Sequence, residues 1–270
     1  MDCPGWKRRG YYARQKAERL RVTPSLQGPV RRAVILAAGN GDRFRTPTYD
    51  SKLLQPLLGR PILLRTVEAA RDAGVQAITI VLGYQAERVR ALVERGAPAG
   101  VSLSFAFNPD WQLENGISAR AARDLAGGGR FALLMGDHIF EPPVLARMLR
   151  LDVAPEDSVL AIDARPATPE QAEEATKVRR EGSRIVAIGK DLREYDALDT
   201  GVFVCSPLLF HALDVSIAHG DTTLSGGIRE LAARGLMRGM EIGDAAWCDI
   251  DTRSDLAAAE TLLGAESGVA

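Results

Sequence analysis

Three runs of the chain, "RAVILAA" at 32–38, "AITIVLG" at 77–83 and "FALLMGD" at 131–137, are apolar almost without interruption. A strand buried on one face only would alternate polar and apolar residues. These runs do not, so they are expected as strands inside a sheet covered on both sides. Between them lie stretches with helical spacing: "PILLRTVEAARDAG" (61–74), opened by Pro61 and closed by Gly74, and "AERVRALVERG" (86–96). "VSLSFAF" (101–107) alternates at period two, and "ISARAARDLA" (117–126) predicts one more helix. Strands separated by helices in this order imply parallel pairing.

The second half reads differently. "DSVLAID" (157–163) extends the sheet, while "TKVRREGSRIVAIGK" (176–190) predicts two strands around the turn "EGS" and "DTGVFVCS" another strand. Helices return at "PLLFHALD", "GGIRELAARG" and "RSDLAAAETLLG". The expected architecture is α/β: a mixed, mostly parallel central sheet flanked by helices, with an antiparallel flap. It divides into a basic extension at 1–30, a domain at 31–265 and a short tail at 266–270.

Charge narrows the partners. The chain of 270 residues is 46% hydrophobic and 26% charged, with a net charge of -1. That balance provides no footprint for nucleic acid, whose phosphate backbone selects a basic face. Seven Lys or Arg against two acids make the first 30 residues +5, and the rest carries the -6 that brings the total to -1. The extension reads as a solvated arm, the alternative being an amphipathic helix against anionic lipid or a partner. Cys3, Cys205 and Cys248 are odd in number and far apart, which suits neither a disulfide framework nor a paired-cysteine metal site. With no apolar run of spanning length and no signal-peptide pattern, a cytoplasmic location is expected.

The loop after the first strand, "GNGDRFRTPTYDSK", lies where open parallel sheets bind ligands, outside the carboxyl ends of their strands. Gly39 and Gly41 can take positive φ and bring backbone N–H groups to phosphate oxygens, Arg43 adds a donor fork and Lys52 a mobile charge. Taken singly, the glycines also suit an ordinary turn. The dinucleotide fingerprint fails at Phe44, and no Walker loop is present. "LLMGDH" sets Asp137 at the tip of one apolar run, and "AWCDID" sets Asp249 and Asp251 near the tip of another. Any one aspartate could cap a helix. Together, at the ends of neighbouring strands, they form an oxygen-rich site suited to Mg²⁺ shared with substrate phosphates.

"LAAGNGDRF", the spaced Lys52, "GDH" and "WCDID" resemble the sugar-nucleotidyltransferase superfamily. "ENGIS", "ATKV" and "DTGVF" narrow the resemblance to CTP:inositol-1-phosphate cytidylyltransferases, over roughly residues 31–265. It implies a Rossmann-like nucleotidyltransferase fold and transfer of a cytidylyl group from CTP to a small phosphorylated polyol, with Mg²⁺ as cofactor. By position, Leu36, Ala37, Ala38 and Gly39 would lie against base and ribose. Gly41, Asp42 and Arg43 would surround the triphosphate, and Lys52 the α-phosphate or leaving pyrophosphate. Apart from the resemblance, Asn115 and Gly116 open a helix whose start would be a donor site beside the nucleotide, the alternative being an ordinary Asn-Gly helix entry. Asp137, Asp249 and Asp251 would hold metal, Lys190 the acceptor phosphate with Lys177 assisting, and Asp199 with Thr200 would face the acceptor ring. A membrane-bound CDP-alcohol transferase is implied as consumer of the product. Phosphocholine or hexose-1-phosphate nucleotidyl transfer is the rival chemistry, with Trp111 and Trp247 available for a cage around a quaternary ammonium. A non-catalytic nucleotide-binding regulator is the rival class.

Overall fold

The structure, a computed structural model, describes residues 29–41, 44, 51–165 and 173–267. Residues 1–28 of the basic extension, Asp42 and Arg43 lie outside the described residues. Along the chain, β1 (Arg32–Ala37) leads to a small hairpin of β2 (Pro56–Leu57) and β3 (Arg60–Pro61), then α1 (Ile62–Asp72), β4 (Ala77–Leu82), α2 (Ala86–Gly96) and β5 (Ser102–Phe107). Next come α3 (Asn115–Ala121), α4 (Arg123–Ala126), β6 (Phe131–Met135), β7 (His138–Phe140), α5 (Pro142–Met148) and β8 (Ser158–Asp163). The chain continues through β9 (Lys177–Glu181), β10 (Arg184–Gly189), β11 (Ala197–Cys205), α6 (Leu208–Ala218), α7 (Leu224–Ala233), β12 (Met237–Glu241), β13 (Trp247–Asp249) and α8 (Arg253–Ser267).

Among the described residues, nine strands form one sheet in the order β5-β4-β1-β6-β11-β8-β12-β10-β9. The first four are parallel, as their apolar runs predict. β11 then runs antiparallel to both β6 and β8, so the second half joins the same sheet. The expected flap is the β9–β10 hairpin, and β9 folds back far enough to pair with the start of β11. β1 alternates across the sheet: Ile35 packs with Leu63, Val67, Val89 and Leu145 under α1, α2 and α5, while Val34 packs with Phe131, Phe203 and Phe210 under α6 and α7.

Three expectations change. The helix expected at 117–126 is two, because the chain tightens at Ala122, whose amide bonds back to Ala119 O at 3.2 Å. β12, with only Met237 buried, lies parallel to β8 and was not anticipated from its weak pattern. The strand ending at Asp249, by contrast, is no member of the main sheet. β13 pairs with β7 in a separate two-stranded ribbon, in the register Trp247–Phe140, Cys248–Ile139, Asp249–His138.

The topology creates one opening. From β1 the chain moves outward to β4 and β5, then returns to β6 on the other side of β1. Connections leave in opposite directions at that point, so a crevice opens beyond the carboxyl ends of β1 and β6.

Candidate active site

The two strand ends are stitched together by Gly136 N donating to Leu36 O at 2.9 Å. Beyond β1, Ala38 O accepts from Tyr84 N, also at 2.9 Å, and the chain turns at Gly41 with φ +59. Gly39 does not take positive φ, so only Gly41 uses the left-handed freedom expected of both. A side chain at Gly41 would also press on Lys52, since its Cβ would lie 3.1 Å from Lys52 Cγ.

Lys52 opens a short 3-10 turn and is 9% exposed. Its ammonium lies between two carboxylates, 2.7 Å from Asp137 Oδ2 and 2.6 Å from Asp251 Oδ1. Burial works against its charge, but Asp137, Asp249 and Asp251 outweigh it and hold the lysine pKa above its ordinary value. The reciprocal effect reaches Asp137. Burial pushes its pKa up, and Lys52 and His138 bring it below the usual carboxylate range.

A small third core explains why acids from the far end of the chain arrive here. Ile250, fully buried, packs with Phe44, Leu57, Ile62 and Ile139, and its amide donates to Asp137 O at 3.2 Å. Ile250 turned inward leaves its neighbours, Asp249 and Asp251, turned to the crevice. Immediately after them Thr252 and Asp255 exchange bonds as a capping box: Asp255 Oδ2 accepts from Thr252 N (2.6 Å) and Asp251 N (3.0 Å), and Asp255 N donates to Thr252 Oγ1 at 3.3 Å. The N-terminus of α8 therefore fixes the backbone carrying Asp251.

His138 sits opposite Asp249 in the ribbon. Its Nδ1 contacts Thr200 O at 2.9 Å, which turns Nε2 toward Asp249 Oδ1 at 3.3 Å and Asp137 Oδ1 at 3.9 Å. Burial lowers its pKa, yet Asp249 and Asp137 win and raise it to about 10. The ring can lie here only because residue 201 is glycine: a Cβ would fall 2.1 Å from His138 Nδ1, and the backbone takes φ +74 at an irregularity in β11. Asp137, His138 and Asp249 offer ligand atoms all within 4.8 Å of one another. Asp249 Oδ1 is closed off from solvent without a hydrogen bond of good geometry.

Two cavities flank these acids. The larger, about 690 Å³, is lined by Leu36, Ala38, Gly39, Asn115, Lys190 and Asp199 among others, and both Trp111 and Trp247 reach it. The smaller, about 320 Å³, is bounded by Ala37, Asn40, Gly41 and Lys52. Leu36, Gly39, Asp137 and Asp251 belong to both walls.

Other expected residues stand further back. Thr200 is buried with its hydroxyl donating to Ala161 O at 2.8 Å, so its side chain faces the sheet instead of an acceptor. Gly116 lies behind the wall, where a Cβ would come within 2.5 Å of Thr222 O; helix packing requires glycine there. Asn115 reaches the cavity while its Oδ1 accepts from Leu224 N at 2.9 Å. Lys177 donates to Lys190 O at 2.6 Å and lies 5.9 Å from the Tyr195 ring centroid, placing it behind Lys190. Asp251 pairs with Lys52 and falls outside the three-residue ligand group. Asp199 accepts from Gly201 N at 2.7 Å, and burial raises its pKa to about 6. Sequence reasoning gave no role to His138 or to Glu173 and Glu174, which also line the larger cavity. The adjacency of His138 to Asp137 was the only signal for the first.

A switch-point crevice carrying a glycine turn, a buried lysine and paired aspartates defines a domain that handles nucleoside triphosphates. The chain belongs to the family described as the MobA-like NTP transferase domain, which matches residues 33–217. It is an enzyme of the nucleotidyltransferase class. Among curated proteins it is 37% identical over 237 residues to "Bifunctional IPC transferase and DIPP synthase" of Rubrobacter xylanophilus, covering 86% of this chain and 51% of that protein. The Aquifex aeolicus protein of the same description is 35% identical, covering 87% and 52%. The chain thus spans about half the length of the curated relatives it matches. Among solved structures, the inositol-1-phosphate CTP transferase from T. maritima superposes with a TM-score of 0.76 at 26% identity, covering 90% of this chain and 99% of that one. A UDP-glucose pyrophosphorylase at 18% identity and a TM-score of 0.71 shares the fold. No helix among the described residues is long and apolar enough to cross a membrane.

Proposed function

We propose that this chain transfers the cytidylyl group of CTP to inositol-1-phosphate, forming CDP-inositol and releasing pyrophosphate. The observation that carries the reading is the junction of two cavities at Asp137, one walled by Gly41 and by Lys52, the ion-pair partner of Asp137, and the other by Lys190 and Asp199. The acceptor follows from similarity. The relatives are described as bifunctional and this chain matches about half of their length, while it covers 99% of the inositol-1-phosphate CTP transferase structure. A membrane-bound CDP-alcohol transferase would consume the product, and a cytoplasmic location suits the water-soluble substrates.

The acceptor phosphate has a second pKa of about 6, so its nucleophilic oxygen is already largely deprotonated at neutral pH and needs no base. Repulsion is the obstacle: two unit charges about 4 Å apart cost roughly 1 kcal/mol in water and about 4 at an effective dielectric near 20. Lys190 would receive the acceptor phosphate in the larger cavity. Gly41 and Lys52 would hold the triphosphate tail in the smaller one, with Arg43 assigned to the same tail by its place in G-x-G-x-R. The acceptor oxygen attacks the α-phosphorus, the bond to the β-phosphate breaks, and Lys52 balances the charge left on pyrophosphate.

The donor set fits a divalent cation, because Asp137 and Asp249 supply hard oxygens and Asp249 Oδ1 is enclosed without a good hydrogen bond. When bound, Mg²⁺ would neutralise phosphate charge between these carboxylates. The test is pyrophosphate release with each common NTP and Mg²⁺ against inositol-1-phosphate, phosphocholine and hexose-1-phosphates. Release confined to CTP with inositol-1-phosphate is expected, and release only with another acceptor would overturn the acceptor while sparing the class.

A further inference from the structure

We infer that Asp251 is a positioning residue for Lys52 and not a ligand of the metal: its carboxylate holds the lysine ammonium in the smaller cavity, beside the junction of the two. The inference rests on the proposed transfer and deepens it. Asp137 presents opposite oxygens to opposite neighbours, Oδ2 to Lys52 at 2.7 Å and Oδ1 toward His138 at 3.9 Å. A carboxylate shared in this way cannot hold Lys52 firmly once a cation draws on its charge. Asp251 Oδ1, 2.6 Å from the same nitrogen, provides a second hold, independent of the Asp137–His138–Asp249 group.

The backbone of Asp251 is correspondingly fixed. Buried Ile250 anchors one side, and the Asp255 carboxylate accepts the Asp251 amide on the other. A lysine head on a four-carbon stem would otherwise lose rotamer freedom each time it found the phosphates. Here the stem is packed beneath Gly41 and the head is aimed in advance. When the pyrophosphate leaves, the ammonium has only to turn from Asp251 toward the new charge. Asp251 therefore acts on turnover through Lys52 and hardly on the metal.

The experiment compares wild type, Asp251→Asn, Asp249→Asn, Lys52→Met and the Asp251→Asn/Lys52→Met double variant. Magnesium binding is followed by calorimetry, and Lys52 reactivity by amine acylation with mass-spectrometric readout. Asp251→Asn is expected to lower kcat about tenfold with KM for CTP within about twofold, and to cost nothing further in the Lys52→Met background. Its Mg²⁺ affinity should stay within about threefold of wild type, whereas loss of the ligand Asp249 should weaken it by about 10-fold or more. Acylation of Lys52 should rise severalfold. Additive losses, a Mg²⁺ shift matching that of Asp249→Asn, or unchanged acylation would each overturn the inference. Should Asp251→Asn fail to fold, Asp251→Ser replaces it. A wild type inactive with CTP and inositol-1-phosphate would sink the proposed reaction alone, since calorimetry and acylation still judge Asp251.

Discussion

The two sides of the crevice are built by unlike means. On one, β1 and β6 lie deep in the mixed sheet, and the glycine turn and Asp137 take their positions from strands whose residues are nearly all buried. On the other, Asp249 ends a three-residue strand outside that sheet and Asp251 follows it before α8, both steered by one buried isoleucine, a ribbon partner and a helix cap. The sheet side fixes its groups by many contacts spread over long strands, and the ribbon side fixes its own by a few local ones. Substitutions should therefore act broadly on the first side and sharply on the second.

The largest effect is expected where the sides meet. Asp137→Asn or Asp249→Asn should lower turnover by about a thousandfold and abolish the rise in Tm expected of wild type on adding Mg²⁺, measured by steady-state kinetics and thermal melts. Retention of the Mg²⁺-induced rise in both would break the comparison at its centre. Next comes Ile250→Ala, which should cost about 3 kcal/mol of stability and reduce activity beyond that loss, because the cavity releases both acids. A denaturant melt together with activity under fully folded conditions separates the two. If Ile250→Ala kept full activity while folded, the steering role of the third core would be lost.

Gly41→Ala probes the sheet side. Positive φ and contact with Lys52 should together cost about 1 kcal/mol and lower kcat. An unchanged kcat would place the lysine stem outside the turn's control. The smallest effect is one of pH. Burial raises the Asp199 pKa to about 6, so the folded protein holds that proton more tightly than the unfolded chain. The associated stability is complete below about pH 4 and is lost as pH rises through about 6. Without added metal, Asp199→Asn should remove this fall, leaving the variant the more stable above that window. Parallel Tm–pH curves would contradict it.

The same contrast explains how much could be read beforehand. Uninterrupted apolar runs such as "AITIVLG" define β1, β4 and β6, and hence the switch point, Gly41 and Asp137, because a doubly covered strand leaves that pattern. β7 and β13 span three residues each, too short to show a period, so the ribbon and the pairing of Asp249 with His138 were not legible. The convergence of the acids was expected, but from adjacent strands of one sheet. Where Thr200 and Gly116 stand is set by the β11 irregularity and by helix packing, and where the Asp251 carboxylate stands by its pairing with Lys52, none visible in residue type.

The central claim is that the acceptor phosphate attacks the α-phosphorus of CTP at the junction beside Lys52. Inositol-1-phosphate carrying heavy oxygen in its phosphate, incubated with CTP, Mg²⁺ and the protein, should give CDP-inositol retaining all the label and pyrophosphate containing none. Label in the released pyrophosphate, or no CDP-inositol at all, would contradict the account.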